Sequence, residues 1–241
     1  MADEKAHTLP MFGDEQPEVT ETPVSPGTPV APAAPVTKER EPLLMIMDGH
    51  AMVHRSFRAI STQRHLTVNA TGEDVTGVYG FTNVFLRAIN EWNPAYCAIA
   101  FDTPAPTFRH KKFPAYKAQR EATPEELRPQ FGRVKQLMEA FGVAVFELDG
   151  WEADDVIGTL SAQAEKMGLD SVILTGDRDT FQLISTRVRV DLASSIQDRK
   201  VYDEAALTER YSGLTAAQQT DFKALVGDSS DNIPGVPKVG E

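Results

Sequence analysis

Cysteine is almost absent from this 241-residue chain, with Cys97 standing alone. A single thiol excludes an internal disulfide framework and any Cys-rich zinc module. It sits in the apolar run Tyr96-Cys97-Ala98-Ile99-Ala100-Phe101, where it reads as a small buried hydrophobe. Long apolar runs are missing too. No stretch approaches the 18 or more apolar residues of a membrane span, and the N-terminus lacks a charged-then-apolar leader, so a cytosolic protein is expected. His50, His54 and His110 are too scattered for a zinc motif, and no Ser, His and Cys combination suggests a nucleophilic triad. These histidines read as structural or phosphate-contacting at most.

Positive charge is scarce, with 24 Lys and Arg against 35 Asp and Glu. The imbalance is uneven. Residues 1–41 hold eight acids and three bases, which leaves 27 acids and 21 bases in the rest. That first segment has seven prolines between Pro10 and Pro35 and almost no apolar periodicity, so it reads as a disordered, partly polyproline-II tail. From Leu43 onward, short apolar runs alternate with amphipathic stretches, the pattern of a mostly parallel sheet flanked by helices. Leu43 to Met47, Ala95 to Phe101, Val143 to Phe146 and Ser171 to Thr175 are predicted as buried strands, with Val188 to Asp191 a further short one. Gly77 to Trp92, Pro124 to Phe141 and Glu152 to Met167 have helical spacing, and Thr123-Pro124 predicts a helix start.

What the chain has in quantity is carboxylate at the ends of apolar runs. Nine acids fall at five places: Asp48, Asp102, the trio Glu152, Asp154 and Asp155, the pair Asp177 and Asp179, and the pair Asp228 and Asp231. The carboxyl ends of parallel strands form one rim, so acids distant in sequence are expected to converge there. Such a cluster repels itself, which points to divalent metal. If those nine face cations, 18 acids remain against 21 bases outside the tail, a balance compatible with a phosphate-backbone partner. Asp177 and Asp179, spaced i and i+2, point the same way if the chain there is extended. Gly227 to Val236 reads as a hairpin between helices that could offer backbone amides to a phosphate. Arg109, His110, Lys111, Lys112, Lys117 and Arg120 interleave with Phe113 and Tyr116, a mixture suited to a phosphate chain and to stacking on bases.

Asp48-Gly49-His50, Val78-Tyr79-Gly80-Phe81, Phe101-Asp102, Phe108-Arg109-His110, Tyr116-Lys117, Glu152-Ala153-Asp154-Asp155, Asp177-Arg178-Asp179 and Gly227-Asp228-Ser229-Ser230-Asp231-Asn232 occur in this order. Together they resemble the 5′-nuclease domains of bacterial DNA polymerase I, in the flap-endonuclease superfamily. The resemblance implies a PIN-like α/β fold over residues 42–212 with a helical arch, followed over 213–241 by the start of a helix-hairpin-helix that stops short. It implies cleavage of DNA at 5′ flaps, nicks or 5′ ends, RNA primers included, by a monomer that is a fragment of a longer polymerase chain. By position, Asp48, Asp102, Glu152, Asp154, Asp177, Asp179 and Asp231 would hold two Mg²⁺ or Mn²⁺ ions, with Asp155 and Asp228 as closer or outer supports. A monovalent cation is a further candidate at the hairpin. Lys117, Arg120 and Arg55 would act on the reacting phosphate. Arg109, His110, Lys111, Lys112, Tyr116, Gly235, Lys238 and Gly240 would bind DNA. The rivals are a DNA-junction binding module without turnover and an RNA-directed nuclease.

Overall fold

The computed structural model describes residues 42–193 and 199–240. The predicted tail, residues 1–41, lies outside them. In chain order the elements are β1 Leu43–Asp48, α1 Gly49–Ser61, α2 Thr76–Trp92, β2 Tyr96–Phe101, α3 Phe108–Lys112, α4 Arg128–Ala140, β3 Ala144–Glu147, α5 Ala153–Lys166 and β4 Asp170–Thr175. A 3-10 turn Arg178–Leu183 follows, then β5 Val188–Ala193, β6 Arg199–Tyr202, α6 Glu204–Arg210, α7 Gln219–Val226 and the two-residue strands β7 Gly227–Asp228 and β8 Ile233–Pro234.

The main sheet runs β3-β2-β1-β4-β5-β6, parallel except for β6 at one edge. Alternation along β1 explains how it is covered. Met45 and Met47 face a cluster containing Phe57 of α1, Phe81 and Phe85 of α2, and Met138 of α4. Ile46 faces the other way, with Ile157 of α5, Ile173 and Phe181. Phe81, Phe101 and Phe181 are fully buried. Each contributes roughly 1.5–3 kcal/mol of hydrophobic stabilisation.

Strand order reverses between β1 and β4, which places the ends of these two strands at the topological switch point of the sheet. Asp48 is the last residue of β1, Asp102 follows β2, and Asp177 lies two residues past β4.

Three expectations need revision. Residues 124–127 form a hydrogen-bonded turn, with the Pro124 carbonyl accepting from both Leu127 and Arg128, so the predicted start at Pro124 moves to Arg128. Pro129 takes the first-turn place, where a missing N–H costs nothing. The run Val143 to Phe146 is an edge strand with Phe146 exposed, where a buried strand was predicted. The antiparallel β6 was not predicted, because Arg199-Lys200-Val201-Tyr202 has the charged character of a protected sheet edge.

Candidate active site

Carboxylates meet over the switch point in two groups that differ in what holds them. The inner group lines a cleft of about 620 Å³ with Asp48, Asp102, Glu152, Asp154 and Asp177. Neutral donors hold three of these. Asp48 accepts from the Ala51 N–H at 2.9 Å and from the Thr175 hydroxyl at 2.8 Å. Asp102 accepts from the Ala153 N–H at 2.7 Å, and Asp177 from the Asp179 N–H at 2.9 Å. Asp48 and Asp177 thus cap the helical segments that follow them, and Asp102 accepts from the first N–H of α5.

Crowding shows in the proton equilibria. Burial raises Asp48 to about 6 against its two donors, with the charges of Asp102 and Asp177 adding to the rise. Asp154 is pushed well above the usual carboxylate range, first by burial and then by Asp48 and Asp177. Asp177 is raised by burial, with Lys223 as the main opposing charge. Clustered hard oxygen donors whose ionised forms lack enough compensating charge make a site that fits a divalent cation.

The outer group is Asp179, Asp228 and Asp231, whose carboxylate oxygens can lie within 4.8 Å of one another. Asp177 and Asp179 therefore do not point the same way. Asp177 begins the 3-10 turn and faces the cleft, while the turn rotates Asp179 toward α7 and the hairpin. Protein cations hold this group. Lys223 donates to both Asp179 and Asp228, and Arg120 Nη2 donates to Asp231 Oδ1 at 2.6 Å. Burial opposes ionisation of Asp228, but the Lys223 and Ser230 hydrogen bonds outweigh it and hold its pKa at about 2.

The cationic stretch folds across the inner group. Lys117 Nζ donates to Glu152 Oε1 at 3.0 Å, and the Tyr116 hydroxyl donates to Glu152 Oε2 at 3.0 Å. Arg109 forks onto Asp155 at 2.7 and 2.8 Å, so Asp155 is a partner of the cationic stretch and not a wall of the cleft. Its carboxylate also accepts the Glu152 N–H at 3.0 Å. Two residues expected at a nucleic-acid surface are turned inward. Tyr116 is buried, which removes it as a stacking platform, and His110 accepts the Thr107 N–H at 3.3 Å to cap α3. Lys111 and Lys112 remain exposed.

Arg55 does not line the acidic cleft. It lies against Gly176, where a Cβ would come within 2.1 Å of its guanidinium, in a shallow groove beside Asp177. The titratable α1 side chains that do line the cleft are His50, His54 and Arg58. Their four-residue spacing was a legible sign of a shared helical face. His50 stacks on Phe131 with ring centroids 4.4 Å apart. Burial depresses both histidines, His54 to about 4. Gly235 packs so closely on Val226 that a Cβ would come within 2.3 Å of its carbonyl, while Lys238 and Gly240 are exposed.

Residues 43–212 match the family model of the 5′-3′ exonuclease N-terminal, resolvase-like domain. The chain belongs to this 5′-3′ exonuclease family. DNA polymerase I of Chloroflexus aurantiacus is 44% identical over 203 residues, which are 83% of this chain and 21% of that protein. DNA polymerase I of Bacillus caldotenax is 42% identical over 199 residues, 82% of this chain and 22% of that protein. The chain thus spans about a fifth of the length of these curated relatives. The fold is shared with the T5 D15 protein co-crystallised with metal ions, at a TM-score of 0.65, 22% identity and coverage of 82% of this chain and 71% of that one. It is shared as well with the catalytic core of Rad2 in complex with DNA substrate, at a TM-score of 0.52, 18% identity and coverage of 83% and 58%. A mostly parallel sheet with helices on both faces is the architecture that this family was expected to have.

Proposed function

We propose that this domain hydrolyses DNA phosphodiester bonds next to 5′ single-strand to duplex junctions, as a divalent-metal-dependent 5′-3′ exonuclease and flap endonuclease. The convergence of eight carboxylates on one switch point, with a cationic segment folded across them, carries this reading. A DNA-binding surface gains nothing from concentrating negative charge where phosphates must lie. Membership of the 5′-3′ exonuclease family supports it, as do relatives that are DNA polymerases.

Two Mg²⁺ or Mn²⁺ ions are assigned. Asp48, Asp102, Glu152, Asp154 and Asp177 would hold the inner one, and Asp179, Asp228 and Asp231 the outer one. Divalent cations bound there supply an activated water and stabilise charge on the attacking and leaving oxygens. The chain's own contribution is positioning and charge. Asp48 and Asp177 are aimed by backbone N–H donors, so their orientation needs no substrate. Lys117 and Arg120 rest on Glu152 and Asp231, beside the cleft, and would offer their charge to the phosphate being transferred once those carboxylates were engaged by a cation. Arg58 lines the same cleft and adds a further positive charge to a phosphate there. Lys111 and Lys112 are assigned to the 5′ strand outside the cleft.

The deciding assay is cleavage of a labelled 5′-flap duplex by the purified protein with Mg²⁺ or with EDTA. Products ending at the junction, formed with Mg²⁺ alone, support the proposal. Retention of the intact flap under both conditions favours the junction-binding module.

A further inference from the structure

Lys223 takes no part in the cleavage chemistry proposed above, yet its ammonium donates to two acids of the outer carboxylate group. It projects from α7 five residues before Asp228, and α7 packs on the 3-10 turn that carries Asp179. Its ammonium donates to Asp228 Oδ2 at 2.7 Å and to Asp179 Oδ1, joining acids that come from different elements. Asp231 alone of the three is buried, and Arg120 pairs with it. Three carboxylates within 4.8 Å are thereby met by Lys223 and Arg120, with the Lys117 ammonium 4.0 Å from Asp231 Oδ2. Lys223 is also the leading favourable charge on Asp177 of the inner group.

Resting on the two-metal reading above, we propose that Lys223 is a tethered counter-ion that occupies the outer carboxylate group and is displaced when a divalent cation binds there. An ammonium has donors only, and those of Lys223 are spent on Asp179 Oδ1 and Asp228 Oδ2, oxygens that a cation in this group would need. A lysine suits an exchangeable role better than an arginine fork, because it is a compact, strongly hydrated charge on a flexible stem. About a third of its side chain is exposed, so it can swing into water without moving the backbone. Occupancy by Lys223 offsets repulsion in the metal-free protein and weakens divalent binding at the outer group. In the inner group Lys117 takes one oxygen of Glu152, whereas Asp48 and Asp102 accept from backbone and hydroxyl donors, so exchange with an ammonium bears on a smaller share of the inner ligands. Loading is therefore ordered, with the inner group filling first and the outer group filling by exchange.

The test is Mn²⁺ binding to the whole chain, with free Mn²⁺ counted by electron paramagnetic resonance, alongside thermal midpoints in EDTA. The parent should bind two ions with unequal constants. Lys223→Met should tighten the weaker constant about tenfold, the order expected for removing one charge roughly 5 Å from a divalent ion in a largely aqueous dielectric. It should also lower the midpoint in EDTA, with Mn²⁺ restoring it. Lys223→Gln, which keeps a donor and loses the charge, should tighten the same constant and guards against misfolding of the Met variant. Lys223→Arg should stay within about threefold of the parent. Adding Asp228→Asn to Lys223→Met should cancel the tightening. An unchanged or weaker outer constant in both neutral variants, with fold retained, overturns the inference and makes Lys223 a strut that positions the ligands. A parent that binds no Mn²⁺ overturns the metal reading itself, and the inference falls with it.

Discussion

The Lys117 ammonium rests on Glu152 at 3.0 Å while its own backbone N–H donates to the Asp231 carbonyl at 3.0 Å, so one residue of the cationic stretch touches both carboxylate groups. Its φ of 56° lies in the left-handed region, a conformation that a non-glycine residue adopts at some cost. Those contacts hold it there.

Lys117→Ala is expected to lower the single-turnover rate on a flap substrate far more than it weakens equilibrium binding, because a charge aimed at the transferring phosphate matters most as negative charge builds up there. Lys111→Ala and Lys112→Ala should mainly weaken binding and reduce its salt slope by roughly one unit each. A salt series on one substrate measures both quantities. Equal affinity losses with unchanged rates would reduce the stretch to a solvated basic face.

Asp177→Asn keeps the shape of a cleft-lining acid and removes its charge. Cleavage should fall at least a hundredfold, a loss of about 2.7 kcal/mol of barrier stabilisation, while flap binding in Ca²⁺ persists. Turnover within threefold of the parent would exclude Asp177 as a metal ligand.

The inner acids make the metal-free protein sensitive to pH in an unusual direction. A carboxyl whose folded pKa is raised favours the folded state below its unfolded value, and that contribution is lost as pH rises through the folded value. For Asp48 the window runs from 3.8 to about 6, and Asp154 and Asp177 shift the same way. In EDTA their contribution to stability should therefore decline from pH 4 to pH 7. Mg²⁺ should raise the thermal midpoint more at pH 7.5 than at pH 5, since the ion binds the ionised forms. A midpoint gain independent of pH would show that these acids do not bind the added ion.

Asp191 lies fully buried between Trp92 Nε1, at 2.8 Å, and the guanidinium of Arg199. Arg199→Met would leave that carboxylate buried and uncompensated, so a loss of about 3–5 kcal/mol in urea unfolding is expected. A loss below 1 kcal/mol would show that Asp191 takes up a proton or water at little cost.

Much of this was legible in one dimension. The continuous apolar run Leu43 to Met47 and the acids that end apolar runs follow from local rules, because a parallel strand buried on both faces must be apolar and must end on the rim. Those rules placed Asp48, Asp102 and Asp177 correctly beside one another. The weak element, β6, escaped because an edge strand need not be apolar.

What the sequence determined by itself was the fold class and the meeting of distant acids, since strand ends in one open sheet share a rim whatever their separation. Only the tertiary structure decided which acid faces what. One 3-10 turn separates Asp177 from Asp179, a fork of hydrogen bonds takes Asp155 to Arg109, and helix α7 delivers Lys223 between acids 49 positions apart. Direction at close range depends on a few backbone dihedrals and on which counter-charge arrives from another element, and neither is written in the spacing of the residues themselves.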